Sequence, residues 1–350
     1  MAHRHAKQSR GMAAKYRLPR KKVVKIYTDK TRHRTENEGA VFSRFSYTRL
    51  SDGLDALRSD AATAIHDPEN KFRTQKAMMM YSIVLAAAGL AAQAAAACSR
   101  AALQEVAAAY VRAQADGKPT LLSLATNTSY AENDKPLDIA KGVLSQPITI
   151  DFNRSIYDTT QCATFTELTA ATSKHPYVIA TRILLDDDAS KITKIESVVT
   201  DSGDWAFNAT GHLYWTRQEK WEPVPEAQRD TRAAIQAAGD AYLDQWGNST
   251  LPVPLGTPCT RLEGGAYTGQ SNPSANTCRM GAFPQPLKVG DRRYIIDEEL
   301  GAVDIFNGFP WLEATKPDGS VPSTNFIRVE RGLIRYIHEL TVCETPHCGR

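Results

Sequence analysis

Residues 99–111, SRAALQEVAAAYV, return at residues 231–243 as TRAAIQAAGDAYL. Ser99, Ala101, Ala102, Leu103, Gln104, Ala109, Tyr110 and Val111 match Thr231, Ala233, Ala234, Ile235, Gln236, Ala241, Tyr242 and Leu243 at one offset of 132. Both stretches carry small or apolar residues at i, i+3, i+4, i+7 and i+8: Leu103, Val106, Ala107, Tyr110 and Val111, then Ile235, Ala238, Gly239, Tyr242 and Leu243. That period predicts an amphipathic helix in each place. Ser99 and Thr231 stand where a hydroxyl would accept the first free backbone N–H groups.

Further matches follow in the same order. Ile156, Asp158 and Ala163 align with Ile295, Asp297 and Ala302 at an offset of 139, and Ile192 and Ile195 with Ile334 and Ile337 at 142. An offset that grows in one direction predicts two copies, 98–220 and 226–345, the second with small loop insertions. Trp221, Glu222, Pro223, Val224 and Pro225 join them. After each helix and an irregular stretch come extended segments rich in Ile, Val, Tyr and Thr. They run 147–157, 177–185 and 192–199 in the first copy, then 293–296, 302–306, 326–329 and 333–342 in the second. A helix followed by strands is an α+β pattern, without the alternation of a parallel α/β sheet. The acidic run Asp186, Asp187 and Asp188 reads as a solvated hairpin turn, with calcium as the other reading.

The formal charge of +3 conceals an asymmetry: residues 1–77 hold 18 Lys/Arg against 8 Asp/Glu, and the remainder 24 against 31. The mildly acidic body argues against a nucleic-acid partner. Residues 78–97 have the three parts of an export signal. Lys71, Arg73 and Lys76 precede it, Tyr81 to Leu90 is apolar, and alanines then allow cleavage after Ala94 or Ala97. The apolar run is shorter than the ~20 residues a bilayer core requires, so no stable membrane anchor is expected. A signal preceded by 77 residues implies a true start at Met78, Met79 or Met80, with 1–77 an extension that is mispredicted or disordered. The basic run from Pro19 to Lys25 belongs to it.

All six cysteines (Cys98, Cys162, Cys259, Cys278, Cys343 and Cys348) and all four Asn-X-Ser/Thr sites (Asn127, Asn153, Asn208 and Asn248) follow that signal. Together they imply secretion into the extracellular space, disulfide bonding and N-glycosylation. Cys259 with Cys278 closes a loop rich in Gly, Pro, Ser and Asn. Cys343, His347 and Cys348 lack the two-residue gap of common zinc knuckles, and disulfides are expected over metal.

The segments Arg293-Tyr294-Ile295-Ile296-Asp297-Glu298-Glu299, Gly301-Ala302-Val303 and Ile334-Arg335-Tyr336-Ile337-His338, ending in Leu340-Thr341-Val342-Cys343, resemble a family of secreted fungal proteins of uncharacterised function. That family is similar to the nuclear-transport-factor-2-like (SnoaL-like) cone fold, in tandem. The resemblance implies a curved antiparallel sheet around a helix, enclosing a conical cavity. Its wider superfamily holds isomerases, dehydratases, polyketide cyclases and plain binding modules, so fold alone does not choose among them.

Strict alternation along the last strand puts Ile334, Tyr336, His338, Leu340 and Val342 on one face and Arg335, Ile337 and Glu339 on the other. If the first face lines the cavity, His338 is a candidate acid or base; otherwise it is a core histidine. Asp297 and Glu299 are candidate catalytic carboxylates, or else ion pairs with Arg292, Arg293 or Arg335. Tyr336, Asp158 and Arg293 complete the candidate ligand-binding set. No phosphate loop, nucleophile elbow or two-histidine metal helix is written in the chain, and neither cofactor nor metal is expected. The preferred expectation is a secreted module binding a small apolar molecule. A small-molecule isomerase, dehydratase or cyclase is the alternative, and a structural protein whose open sheet faces pack together is the third.

Overall fold

The computed structural model describes residues 98–282, 286–310, 312 and 320–348. The basic extension at 1–77 and the export signal at 78–97 lie outside them. Helices α1 (Arg100–Asp116) and α3 (Arg232–Asp244) are the two read from the repeated stretch, and α2 (Ala209–Thr216) lies between the halves. Ser99 Oγ accepts the Ala102 N–H at 3.2 Å and Thr231 Oγ1 the Ala234 N–H at 3.3 Å, so both hydroxyls cap as expected. Ile235, Ala238, Gly239, Tyr242 and Leu243 are all buried, as the period requires. Gly239 lets α3 lie close on the sheet, since a Cβ there would stand 2.7 Å from Ile305 Cδ1.

Two six-stranded sheets follow the helices. The first contains β1 (Leu124–Glu132), β2 (Lys135–Pro136), β3 (Phe152–Asp158), β4 (Ala163–Ala170), β5 (Tyr177–Leu185) and β6 (Ile192–Thr200). The second contains β7 (Leu255–Glu263), β8 (Ala266–Tyr267), β9 (Gly290–Asp297), β10 (Ala302–Phe309), β11 (Val321–Glu330) and β12 (Leu333–Thr341). Their orders are β2-β1-β6-β5-β4-β3 and β8-β7-β12-β11-β10-β9. Neighbours are antiparallel except β1 with β6 and β7 with β12, so each sheet is mixed. The two halves therefore share one element order and one strand order.

Each sheet has two buried faces. One packs on its own helix: Leu103, Tyr110 and Ala113 against Leu168, Ile179 and Ile195 in the first half, and Ile235, Tyr242 and Leu243 against Ile305, Ile327 and Ile337 in the second. The opposite faces pack on each other, joining Ile156, Phe165, Val178 and Val198 to Ile295, Phe306, Phe326 and Leu340. Burial on both faces explains why β4 and β10 lack polar alternation at the surface: every residue in them is buried.

Two reciprocal ion pairs tie the halves. Arg100, in the first turn of α1, reaches Asp297 on β9 at 2.8 Å, and Arg232, in the first turn of α3, grips Asp158 on β3 with two bonds of 2.7 Å. Asp297 Oδ2 accepts the Tyr157 N–H at 3.0 Å and Asp158 Oδ2 the Ile296 N–H at 2.9 Å. Each aspartate thus closes the rim strand of the other half. Disulfides join Cys98 to Cys162, Cys259 to Cys278 and Cys343 to Cys348. Asp186 caps its hairpin by accepting the Ser190 and Lys191 N–H groups at 2.8 and 3.1 Å.

The strict alternation expected along β12 fails at one point. The β11–β12 register shifts between the pairs Val329–Ile334 and Arg328–Tyr336, which leaves Arg335 as an extra residue. Ile334 and Ile337 consequently both face α3, while Leu340 belongs to the layer between the sheets and Phe326 and Trp221 flank His338.

Candidate functional site

His338 therefore does not line a helix-facing cavity. It sits between the sheets with its Nδ1 at 2.9 and 3.0 Å from the Glu167 carboxylate of β4 and its Nε2 at 2.7 Å from Glu219, on the loop after α2. Burial alone would push the imidazole pKa down, but the two carboxylates outweigh it and raise it to about 9. Burial likewise works against the Glu167 anion, yet His338 and His212 hold its carboxyl well below the usual range. Trp221 Nε1 donates to Glu219 at 2.9 Å and stacks on Phe326, and the Arg154 guanidinium lies 3.8 Å from Glu219 and over the Trp221 ring.

Glu167, His212 and His338 place one ligand atom each within 4.8 Å of one another, a set that suits a divalent ion by residue type. Both nitrogens of His338 are already committed to carboxylates. With imidazolium and guanidinium against two carboxylates the cluster is charge-balanced, which is the chemistry of a clamp between the sheets.

The other candidates are placed in ion pairs too. Asp297 and Asp158 hold the arginines of the two helices. Glu299 is 3.0 Å from Arg100 Nε and 3.4 Å from Arg229, and Arg293 pairs with Glu196 and Asp134. Tyr336 is half-buried and stacks on Trp221 at 5.8 Å. None of these six candidates lines the cavity beside Trp246 and Phe309 in the second half. Asn127, Asn153, Asn208 and Asn248 are all exposed.

A cavity of about 350 Å³ opens on the helix-facing side of the second sheet. Trp205, Trp246, Met280, Phe309 and Leu312 supply apolar wall, and Arg261, Glu263, Arg279 and Glu339 the polar groups. Strand pairing builds the polar side: Glu339 on β12 lies opposite Glu263 on β7, one step from the Ile337–Arg261 pair. Arg261 binds Glu263 at 2.6 Å, and Thr341 donates to Glu339 Oε1 at 3.0 Å. Burial chiefly, with the Glu263 charge added, raises the Glu339 carboxyl to about 8, so it is protonated at neutral pH. A buried acid that stays neutral near pH 7 can donate a hydrogen bond or exchange a proton with a bound molecule.

Sequence reasoning passed over Glu339, because strict alternation put it outside, and over Arg261, because β7 reads as polar and contains Pro258. A bulge counted into β12 would have found the first.

Residues 228–341 match a family model described as a domain of unknown function (DUF8021). No curated protein and no solved structure matches the chain. The matched segment runs from just ahead of α3 to the end of β12, so the second half of this chain is similar to that domain of unknown function as a complete helix-plus-sheet unit.

Proposed function

We propose that the protein is a secreted, N-glycosylated binding module built from two tandem cone-like copies, and that the second copy holds a small, largely apolar molecule. The observation that carries this reading is the 350 Å³ cavity with two tryptophans, a phenylalanine, a leucine and a methionine around a few convergent polar groups, the usual composition of a small-molecule site. The three disulfides agree with an oxidising compartment, and no helix among the described residues is long and apolar enough to cross a membrane.

Gly281 offers a direct test. A Cβ there meets nothing within 4 Å, so Gly281→Trp can fill the cavity without disturbing the sheets. Protein purified from its own culture medium should release a stoichiometric small molecule on denaturation, read by mass spectrometry, and the Trp variant should release none. Equal recovery from both would contradict the reading. A general acid–base isomerase, dehydratase or cyclase acting on a small apolar metabolite is the second reading. The protonated Glu339 favours it, and in it this residue replaces the His338, Asp297 and Glu299 set expected from the sequence.

A further inference from the structure

The helix-facing side of the second sheet carries polar atoms that the protein leaves without partners. Glu339 Oε2, Arg261 Nε, Asn307 Oδ1 and both amide atoms of Asn325 are buried and make no hydrogen bond. Buried polar atoms are paired in the great majority of cases, so a cluster of exceptions requires a cause. Register shows that these five atoms share one face. Asn325 lies opposite both Ile305 and Glu339, Asn307 lies opposite Ser323, and Ser323 opposite Thr341. Arg261 and Glu339 reach the cavity wall, and Asn325 stands beside Glu339 in the adjacent strand.

On the equivalent face of the first half, Thr164 Oγ1 alone among the described residues is buried without a partner. By register Thr181 and Ser197 take the places of Asn325 and Glu339, and they are joined in a relay: Tyr110 Oη to Thr181 at 2.7 Å and Thr181 to Ser197 at 2.8 Å. Leu168, Ile179 and Val199 fill the row that in the second half reads Asn307, Ser323 and Thr341. At the positions of Asn325 and Glu339 the same fold thus closes its polar groups on themselves in one half and leaves them open in the other.

We infer that the second cavity recognises a flat apolar molecule bearing a carbonyl-type oxygen, which the Glu339 carboxylic acid receives as donor with Arg261 and the Asn325 amide beside it. This rests on the cavity being a binding site and adds the chemical class of its occupant. The oxygen acceptor follows from the donors present: a protonated carboxyl, a guanidinium N–H and an amide NH₂. The apolar body follows from Trp246, Phe309 and Leu312 across the cavity. Burial, Glu263 and Arg261 on β7 and Thr341 on β12 set the Glu339 charge, Tyr242 on α3 interacts with it, and Arg279 lines the same cavity.

The test compares 2-acetylnaphthalene with 2-ethylnaphthalene, two probes of one shape that differ in the oxygen, by quenching of tryptophan fluorescence in the intact protein. At pH 6 the ketone should bind at least about tenfold more tightly, the worth of one good hydrogen bond in a buried site. That advantage should fade as pH rises through about 8 to pH 9, because the carboxylate no longer donates. Glu339→Gln, which keeps a donor, should retain the advantage at both pH values, and Glu339→Leu should lose it while still binding the hydrocarbon. Equal affinity of both probes at pH 6 would overturn the oxygen-acceptor assignment and leave the binding reading intact. Failure of either probe to bind, with Gly281→Trp indistinguishable from the parent, would overturn both.

Discussion

The two halves share a fold and differ in what occupies the space between helix and sheet. In the first, Val143 and Leu144 turn inward, held by Gln114 Nε2 donating to the Val143 carbonyl at 2.9 Å and by the Glu132 carboxylate accepting the Val143 N–H. Around Leu144 the interior is packed; a separate opening of about 260 Å³ lies between α1 and the β5–β6 turn, lined by Val106, Ala109, Leu122, Leu185 and Ile192. In the second, Trp246 stands where Gln114 stands by the 132 offset, Arg279 to Ala282 line the cavity, and it stays open. The place that is a cavity in the second half is therefore plugged in the first, and a few side chains on one sheet face decide which.

The largest effect expected is on the seam joining the halves. His338→Leu leaves Glu167 and Glu219 buried without their shared cation, and unfolding in urea should become easier by about 3 to 5 kcal/mol. A change under about 1 kcal/mol would show that apolar packing alone docks the sheets.

Next, Leu144→Ala should cost about 2 to 4 kcal/mol and open a void in the first half, because that core is filled. Gly281→Trp in the second half should change stability by less than about 0.5 kcal/mol. If the two substitutions cost the same, the contrast between plugged and open interiors is wrong.

Arg100→Ala and Arg232→Ala probe the reciprocal ties. Each removes a charged partner from a buried aspartate, and each should cost about 2 kcal/mol, equal within about 1 kcal/mol. A large inequality would break the equivalence of the two rims.

The remaining effect is on pH dependence. His338 has a folded pKa of about 9 against 6.5 for the free group, so its stabilisation is complete below pH 6.5 and is lost as pH rises through 9. Glu339, at about 8 against 4.5, keeps its proton in the folded state while the unfolded chain gives it up. Stability therefore falls from pH 4.5 to 8 on its account. Glu339→Gln should remove the fall from pH 4.5 to 6.5, make the slope from 6.5 to 8 shallower and leave the His338 limb from 8 to 9 in place. Loss of the fall from pH 8 to 9 as well would mean that the two groups titrate together. The first half supplies no comparable acid, since Ser197 lies opposite Glu132 where Glu339 lies opposite Glu263.

Much of the fold was legible in the chain because both helices advertise their buried stripe and their hydroxyl caps. Tyr177–Leu185 and the start of β6 at Ile192 were also readable, since β-branched runs mark them. Strands β1, β4 and β7 were not. Thr, Ser, Asn and Glu make up about half of β1 and β4, and in β4 it is the second sheet and the neighbouring strands that bury them; β7 is interrupted by Gly256 and Pro258. Helix α2 was missed for a related reason: its sequence ATGHLYWT has no single apolar stripe, because His212 and Ala209 face the sheets while Tyr214 is exposed.

The site was less legible than the fold. Glu167, Glu219 and His212 gather around His338 from separate elements, and no local spacing announces such a meeting. Asp158 and Asp297 did stand at equivalent positions, and the equivalence reflects a shared role in closing the opposite rim. His338 carried the right chemistry for a titrating group, but the bulge at Arg335 turned it away from the cavity and turned Glu339 inward.

The most direct test of the non-equivalent halves is a crystal structure of the mature chain grown with 2-acetylnaphthalene. The account predicts one molecule beside Trp246 and Phe309, its oxygen against Glu339, and none beside Leu144. A probe seated in the first half, or between the sheets at His338, would contradict it.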